Sequence, residues 1–248
     1  MKKILYQIID NNSHYNGTKI PIITADSDDA VALDKLTSQT KVILTTVGPY
    51  AKFGSKLVQS CVSNGTDYCD LAGETQWIRK MIDTHQEEAE KNGSRIIHSC
   101  GFDSIPSDLG VLFMQQEALR RFQQPLNNIQ LFVKAMKGCA SGGTIASILN
   151  VIIEGGKNRE IAKMVAHPYS LNPLNEMIGP DKYDQKSPLY NKTIGMWTAP
   201  FIMAAINTRI VRRTNALLNY RYGKDFSYSE SVICGKKFTG SLKAKFLT

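Results

Sequence analysis

A short apolar run that ends at a Gly-Pro pair constrains the fold of this chain more than any other feature. Residues 42–46 are rich in β-branched side chains, which suit a strand buried on both faces, and Gly48-Pro49 cannot continue it. A helical pattern of apolar residues follows at once, and Gly65 ends it. Strand, tight loop and helix form the unit with which open α/β sheets build ligand sites at the carboxyl ends of their strands.

The same unit repeats through the first half of the chain. Strands are predicted at residues 20–25, 67–71 and 95–100, with helices of ordinary length between them. One helix is expected to open at Glu74, and another is expected to be capped by Ser107. This alternation indicates βα units around a parallel sheet.

The pattern changes after Gln123-Gln124-Pro125, which predicts a boundary between two domains, residues 1–124 and 125–248. The second domain begins with an alternating strand at residues 129–133, and no clear structure is predicted from Ser231 to Thr248. The expected fold is therefore α/β, with a Rossmann-type doubly wound parallel sheet followed by a second α+β domain.

The net charge of +8 is unevenly distributed along the chain. Up to residue 129 there are 13 Lys and Arg against 15 Asp and Glu, and from residue 130 onward there are 17 against 7. A basic second half suggests an anionic partner, although a basic protein with no charged partner has the same composition. Nucleic acid is disfavoured as that partner, because no aromatic-studded basic strand or recognition helix is present.

Cysteine and histidine usage indicates a reducing compartment and no structural zinc. The five cysteines include no Cys-x-x-Cys pair, the four histidines lack metal-ligand spacing, and the first residues do not form a secretory signal. No apolar run approaches the roughly 20 residues of a membrane-spanning helix. We therefore expect a cytoplasmic protein.

Three carboxylates lie at the ends of predicted strands or shortly after them, at the edge where a doubly wound sheet binds its ligands. They are Asp70, Glu74 and Asp103, and each could instead cap a helix. His98 and Cys100 share one face of the strand at residues 95–100, but nothing in the sequence orients the imidazole. A nucleophilic cysteine is therefore not favoured.

A basic, amphipathic helix is predicted in the second half. Apolar residues recur at every fourth position from Ile202 to Ile210, and Arg209, Arg212 and Arg213 lie beside them. A helix of this kind can lie on an anionic membrane surface. The favoured interpretation is a core helix with a solvated basic end.

Three motifs in order carry a resemblance to a known family. They are Thr46-Val47-Gly48-Pro49-Tyr50, Asp67-Tyr68-Cys69-Asp70-Leu71-Ala72-Gly73-Glu74, and Cys100-Gly101-Phe102-Asp103-Ser104-Ile105-Pro106-Ser107-Asp108. Together they resemble the saccharopine dehydrogenase-like oxidoreductases, in particular the branch that includes the mycobacterial trans-acting enoyl reductases. The resemblance extends from about residue 21 to residue 230.

The resemblance implies a Rossmann domain that binds NADP or NAD and a second α+β domain that covers the cofactor. Asp26 and Ser27 would lie near the adenosine. The residues expected on the nicotinamide side are Thr46, Val47, Gly48, Pro49 and Tyr50. The candidate catalytic groups, by position only, are Tyr68, Asp70, Glu74 and Asp103.

The family also implies a substrate. The trans-acting enoyl reductases reduce a double bond in a polyketide chain carried by a partner synthase, and animal relatives are associated with lipid droplets and membranes. By resemblance, then, the substrate is a lipid or acyl chain, and a peripheral location on a membrane or lipid droplet is compatible with it.

One departure from the family concerns the pyrophosphate. The family opens with a strand and a Gly-x-x-Gly-x-x-Gly loop that holds this group on a helix N-terminus, whereas Gly17 is the only glycine before Gly48 here. The family also continues well past residue 230. We therefore expect a chain truncated at both ends, with an incomplete Rossmann sheet, that binds NADPH weakly or not at all.

Two functions stay open at this point. The first is an NAD(P)H-dependent oxidoreductase that reduces a double bond of an acyl substrate and is impaired as this short chain. The second is a non-catalytic, membrane- or lipid-associated remnant. The sequence does not identify the substrate, the choice between NADPH and NADH, or the oligomeric state.

Overall fold

The computed structural model describes residues 22–135 and 142–248, which together form seven strands and nine α-helices. In chain order these are α1 (Ala30–Thr37), β1 (Val42–Thr45), α2 (Tyr50–Phe53), α3 (Ser55–Ser63), β2 (Asp67–Asp70), α4 (Thr75–Asn92), β3 (Ile96–Ile97), α5 (Ile105–Phe122), β4 (Asn128–Val133), α6 (Gly142–Lys157), α7 (Arg159–Ala166), β5 (Leu189–Asn191), β6 (Met196–Pro200), α8 (Ala204–Leu217), β7 (Ser227–Gly235) and α9 (Lys237–Phe246). A single 3₁₀ turn covers Leu174–Glu176.

The first sheet is parallel and has the order β1-β2-β3. Helices α2 and α3 connect β1 to β2, and α4 connects β2 to β3. The predicted parallel sheet with helical connections is confirmed, and its Rossmann type stays a prediction. The strand predicted at residues 20–25 is not formed in its described part, because residues 22–25 lie outside any strand.

The second sheet is mixed and has the order β4-β7-β6-β5, with β4 and β7 parallel and the other pairs antiparallel. Strand β7 and helix α9 occupy the tail, so the expectation of no clear structure there was wrong. The strand was hard to detect because an inward-facing position holds a carboxylate, Glu230, which is only 2% exposed. A half-buried strand is normally predicted from alternating apolar and polar residues. This strand lacks that alternation, because a polar residue occupies a buried position.

Local residues determine where two of the helices begin, and one of the two begins earlier than predicted. The side chain of Asp29 caps α1, accepting hydrogen bonds from the amides of Val31 and Ala32. Helix α5 already begins at Ile105, so Ser107 lies inside the helix and not at its cap. The reason is Pro106, whose fixed φ suits the first turn of a helix.

The hydrophobic cores join segments from both sides of the boundary predicted at residue 124. Tyr50, Tyr68 and Trp77 of the first half share one core with Leu171 and Ile206. A second core brings Val111 together with Val211, Tyr222, Phe226 and Tyr228. The two sheets are separate, but the apolar contacts between their helices are continuous.

Two of the arginines of α8 are buried in the core and are not available for the membrane surface that the sequence left open. Arg209 and Arg212 are only 2% and 3% exposed. They pair with Asp184 and Asp181, which satisfies charges that burial would otherwise leave uncompensated. Within residues 22–135 and 142–248, no helix is long and apolar enough to cross a membrane.

Candidate functional site

A cleft of about 290 Å³ lies at the carboxyl ends of the parallel strands. Its lining includes Thr46, Leu71 and Ser99, which follow β1, β2 and β3, and apolar side chains of α6 such as Ile148 and Val151 close it on the opposite side. We refer to this as the strand-end cleft. It lies where parallel α/β sheets bind their ligands, as the sequence predicted.

Glu74 fixes the loop at the floor of this cleft. Its side chain is fully buried and accepts hydrogen bonds from the amides of Tyr50 (2.7 Å) and Ala51 (3.1 Å) and from the hydroxyl of Ser147 (2.9 Å). The carboxylate thereby satisfies the free N–H groups at the start of α2 and ties α6 to the first sheet.

Tyr50 connects the ends of β1 and β2. Its hydroxyl donates to the carbonyl of Thr45 (3.2 Å) and accepts from the amide of Leu71 (3.2 Å), while its ring stacks on Trp77. Burial is the main cause that raises the pKa of Tyr50. The phenol is therefore neutral, and its proton is already committed to a backbone carbonyl.

Asp70 is the centre of a second buried network. Its carboxylate accepts hydrogen bonds from the amides of Ala72 and Ser99 (both 2.9 Å), the hydroxyl of Tyr68 (3.0 Å) and Nδ1 of His98 (2.6 Å). Desolvation and the neighbouring carboxylate raise the pKa of Tyr68. Asp70 thus holds the end of β2 against the segment that follows β3.

The sequence argument against a nucleophilic cysteine assumed that nothing orients the imidazole of His98. The structure contradicts that assumption but supports the conclusion. Asp70 does orient the imidazole, which the sequence did not reveal. The thiol of Cys100 nevertheless points to the carbonyl of Ile97 (3.5 Å), and burial raises the pKa of Cys100 to about 11. A neutral thiol is a poor nucleophile, so the geometry offers no Cys–His pair.

The predicted site residues separate into three groups. Those that line the strand-end cleft are Thr46, Gly48, Tyr50 and Asp103. Those that lie behind its lining or beside it are Val47, Pro49, Tyr68, Asp70 and Glu74. Asp26 and Ser27 lie outside the lining, and the Asp26 carboxylate accepts from the amide of Asp28.

Sequence reasoning missed much of the lining. Ser99 and Ser104 follow strands whose ends were predicted, so their place could have been inferred. Ser147 on α6, and Ile202 and Met203 before α8, reach the cleft only through tertiary packing. Helix α6 begins at Gly142, and Gly143 and Thr144 of its first turn line the cleft.

A buried polar chain connects the cleft to the second sheet. The hydroxyl of Ser104 donates to Oδ1 of Asn207 (2.8 Å), whose amide donates to Glu230 (3.0 Å). Glu230 also accepts from the hydroxyl of Tyr228 (2.8 Å). Burial raises the pKa of Glu230, although these hydrogen bonds partly oppose the shift.

Glu230→Gln should make stability less dependent on pH. Because its pKa is raised, the folded chain retains a proton that the unfolded chain has released above the ordinary value of about 4.3. The free energy of unfolding therefore falls as pH rises through this window, by at most about 1.4 kcal/mol per pH unit for one proton. Urea unfolding of both proteins at several pH values measures the slope.

Asp108, whose pKa burial also raises, contributes a fall of the same sign that remains in the variant. Glu87→Gln, at an exposed position of α4, is the matched control and should leave the slope unchanged. An equal slope in Glu230→Gln and the wild type would contradict the assignment of the proton to Glu230.

The lining suits one half of a nicotinamide dinucleotide better than the other. Hydroxyls and apolar walls fit a flat carboxamide ring, and a Cβ built at Gly73 meets nothing within 4 Å, so the backbone there faces open space. Among the described lining residues, however, none is Lys or Arg, and Asp103 is the single carboxylate. The described lining therefore has hydroxyls and apolar surface of the kind a nicotinamide ring contacts, and it has no cation for a pyrophosphate.

The described residues also include no group of three or more His, Cys, Asp and Glu side chains placed to hold a metal ion. The buried carboxylates Asp70 and Glu74 are instead saturated by hydrogen-bond donors of the chain itself.

The chain is similar to mycobacterial proteins. A protein of Mycobacterium tuberculosis (strain ATCC 25618 / H37Rv), provisionally named a trans-acting enoyl reductase, is 41% identical over 221 residues, which are 87% of this chain and 53% of that protein. The trans-acting enoyl reductase of Mycobacterium leprae (strain TN) is 35% identical over 240 residues, 94% of this chain and 57% of that protein. That of Mycobacterium ulcerans (strain Agy99) is 36% identical over 236 residues, with 92% and 56% covered.

The chain therefore spans about half the length of the curated relatives it matches. No protein-family model matches the chain. No solved structure matches it either.

Proposed function

We propose that this chain forms the nicotinamide and acyl side of an NAD(P)H-dependent enoyl reductase of the saccharopine dehydrogenase-like branch, acting on a lipid or polyketide acyl chain carried by a synthase. The observation that carries this proposal is the strand-end cleft, whose floor is the segment from Thr46 to Tyr50 and whose wall is apolar. The names of the mycobacterial relatives, at 35–41% identity, support the reaction class.

The residues of the cleft have different roles in the proposed reduction. A bound nicotinamide supplies the hydride for the double bond. The apolar side chains Ile148, Val151 and Ile206 would hold the acyl chain, and Ser104, whose hydroxyl proton is directed to Asn207, presents its oxygen as an acceptor. Asp103 is exposed and is the one carboxyl group among the described lining residues, so we assign it the delivery of the proton.

Tyr68, Asp70 and Glu74 act in this proposal as positioning residues. Each is almost fully buried and makes hydrogen bonds within the chain, and none lines the cleft. Tyr50 is likewise a structural phenol that shapes the floor. The membrane-associated alternative rested on the arginines of α8, and the burial of Arg209 and Arg212 removes that support.

Gly73→Leu should abolish binding of an enoyl thioester without unfolding the chain. The new side chain projects into open space, so it fills the cleft and meets no atom of the chain within 4 Å at its Cβ. Titrating trans-2-decenoyl-N-acetylcysteamine while following tryptophan fluorescence tests this, because Trp77 stacks on Tyr50 at the cleft floor. We expect saturable binding by the wild type and at least tenfold weaker binding by the variant.

Gly110→Leu is the matched control, since a Cβ at Gly110 also meets nothing within 4 Å and the residue lies outside the cleft. It should bind the thioester like the wild type. NADPH should bind weakly, because the lining of the strand-end cleft holds no cation for the pyrophosphate within the part of the chain that the structure describes. Failure of the wild type to bind the thioester would overturn the proposal, and tight NADPH binding would overturn the expectation for the cofactor.

A further inference from the structure

A second cleft, of about 470 Å³, is lined by residues of α4, β3, α5 and α8. We refer to it as the α4–β3 cleft. Its walls are mainly apolar and include Ile78, Met81, Ile82, Ile96, Ile210 and Leu217. Its volume lies within the range of small-molecule sites, and nothing in the proposed reaction uses it.

Arg213 brings to this cleft a positive charge that has no ion-pair partner among the described residues. The half-buried guanidinium donates from Nη1 to the carbonyl of Leu171 (2.5 Å), and no carboxylate of the described residues forms an ion pair with it. Asp83, whose charge also acts on Arg213, forms its ion pair with Arg79. Burial, followed by the charge of Arg79, lowers the pKa of Arg213 to about 10.

Charged groups with no counter-ion are rare away from bulk water, because removing a guanidinium from water costs several kcal/mol when nothing pairs with it. Here Nε and Nη2 of Arg213 have no hydrogen-bond acceptor among the described residues. The same two edges can form a fork–fork pair with a carboxylate. An anion in the cleft would complete the site.

Of the other charged side chains that line the cleft, Arg95 pairs with Asp67, and Glu90 is exposed and accepts a hydrogen bond from Gln86. His98 is held by Asp70 through Nδ1, which leaves Nε2 for a ligand. Asp108 has a buried Oδ1 with no partner in the described part of the chain, and burial raises its pKa, so its neutral form can donate a hydrogen bond. Its other oxygen accepts from Thr214.

We propose that the α4–β3 cleft binds a monocarboxylate with an apolar chain, with the carboxylate on Arg213 and the chain along Ile82 and Ile210. One unpaired guanidinium matches one carboxylate and is too little for a polyphosphate. The apolar walls favour an alkyl or acyl chain over a polar metabolite. The α4–β3 cleft shares Ser99 and Ser104 with the strand-end cleft, but Arg213, Ile82 and Ile210 line it alone, so the inference does not rest on the function proposed for the other cleft.

Isothermal titration calorimetry with sodium octanoate tests the proposal directly. The wild type should bind octanoate saturably, and it should bind octylammonium chloride at least tenfold more weakly, although both carry the same alkyl chain. Sodium acetate should bind at least tenfold more weakly than octanoate, because it lacks that chain. Equal affinity for octanoate and octylammonium, or no saturable binding of octanoate, would overturn the proposal.

Leu217 offers a matched pair of variants that leaves the guanidinium intact. It lines the cleft and is 54% exposed, so polar side chains there should not disturb folding. Leu217→Glu should weaken octanoate binding at least tenfold by charge repulsion, and Leu217→Gln should change it less than threefold. An equal effect of the two variants would contradict a carboxylate site.

Two further variants locate the ligand. Arg213→Met should abolish octanoate binding, while Arg159→Met, at an exposed position on α7 outside the cleft, should not change it. Gly73→Leu, which fills the strand-end cleft, should also leave octanoate binding unchanged. Loss of octanoate binding in Gly73→Leu but not in Leu217→Glu would place the ligand in the other cleft and overturn the inference.

Discussion

Replacing Glu74 with alanine is expected to lower the free energy of unfolding by about 4 kcal/mol. The carboxylate is fully buried, and its removal leaves the amides of Tyr50 and Ala51 and the hydroxyl of Ser147 without their acceptor. Hydrogen bonds to a charged group contribute about 1.5–3 kcal/mol each, and the donors left behind remain desolvated. Urea unfolding followed by circular dichroism measures the loss.

Two further variants separate the effect of losing the charge from the effect of the position at which it is lost. Glu74→Gln keeps the shape of the side chain but places an amide N–H opposite one of the donors, so we expect about half the loss. Glu87→Ala, on the exposed face of the same helix, should stay within about 0.5 kcal/mol of the wild type. A Glu74→Ala protein as stable as Glu87→Ala would show that the loop before α2 does not depend on this carboxylate.

The elements of the first half could be predicted because their signals are local. The β-branched run before Gly48, the Asn92-Gly93 stop and the helix that follows Glu74 each act within a few residues. Gly93 indeed ends α4 with a left-handed φ of +79°. Parallel strands joined by helices then place the ends of β1, β2 and β3 at one edge, so the position of the cleft follows from the order of elements alone.

The role of each carboxylate could not be predicted in the same way. Asp70, Glu74 and Asp103 all lie at or beyond the end of a strand, yet two are buried and saturated by donors and one is exposed in the cleft. Their donors include Ser147 and His98, which are 73 and 28 residues away in the sequence. Only the tertiary packing separates a positioning residue from one that can touch a ligand.

The arginines of α8 are a second case in which the sequence pattern does not determine the role of the side chains. A helical pattern of isoleucines beside arginines is equally typical of a membrane-facing helix and of a buried one, because periodicity records which side chains share a face and not what covers it. The partners Asp181 and Asp184 come from a loop-rich segment with no pattern of its own. Their contacts decide between the two interpretations.

Arg212→Met should therefore lower the free energy of unfolding by about 4 kcal/mol and should have no effect specific to membranes. The guanidinium pairs through Nε with Asp181 (2.8 Å) and donates to the carbonyls of Pro168 and Tyr228 (both 3.0 Å). It thus fastens the segment before the 3₁₀ turn and strand β7 to α8. Methionine retains the apolar stem but leaves Asp181 buried without its cation, which is the costly way to break such a pair.

Arg221→Met is the matched control, because Arg221 is exposed and should change stability by less than about 0.5 kcal/mol. Combining Arg212→Met with Asp181→Asn should cost less than the sum of the single changes, since the second substitution removes the charge that the first leaves unpaired. A membrane-surface role for Arg212 makes the opposite prediction. It expects unchanged urea unfolding and weaker sedimentation with anionic vesicles, and that result would contradict the buried network.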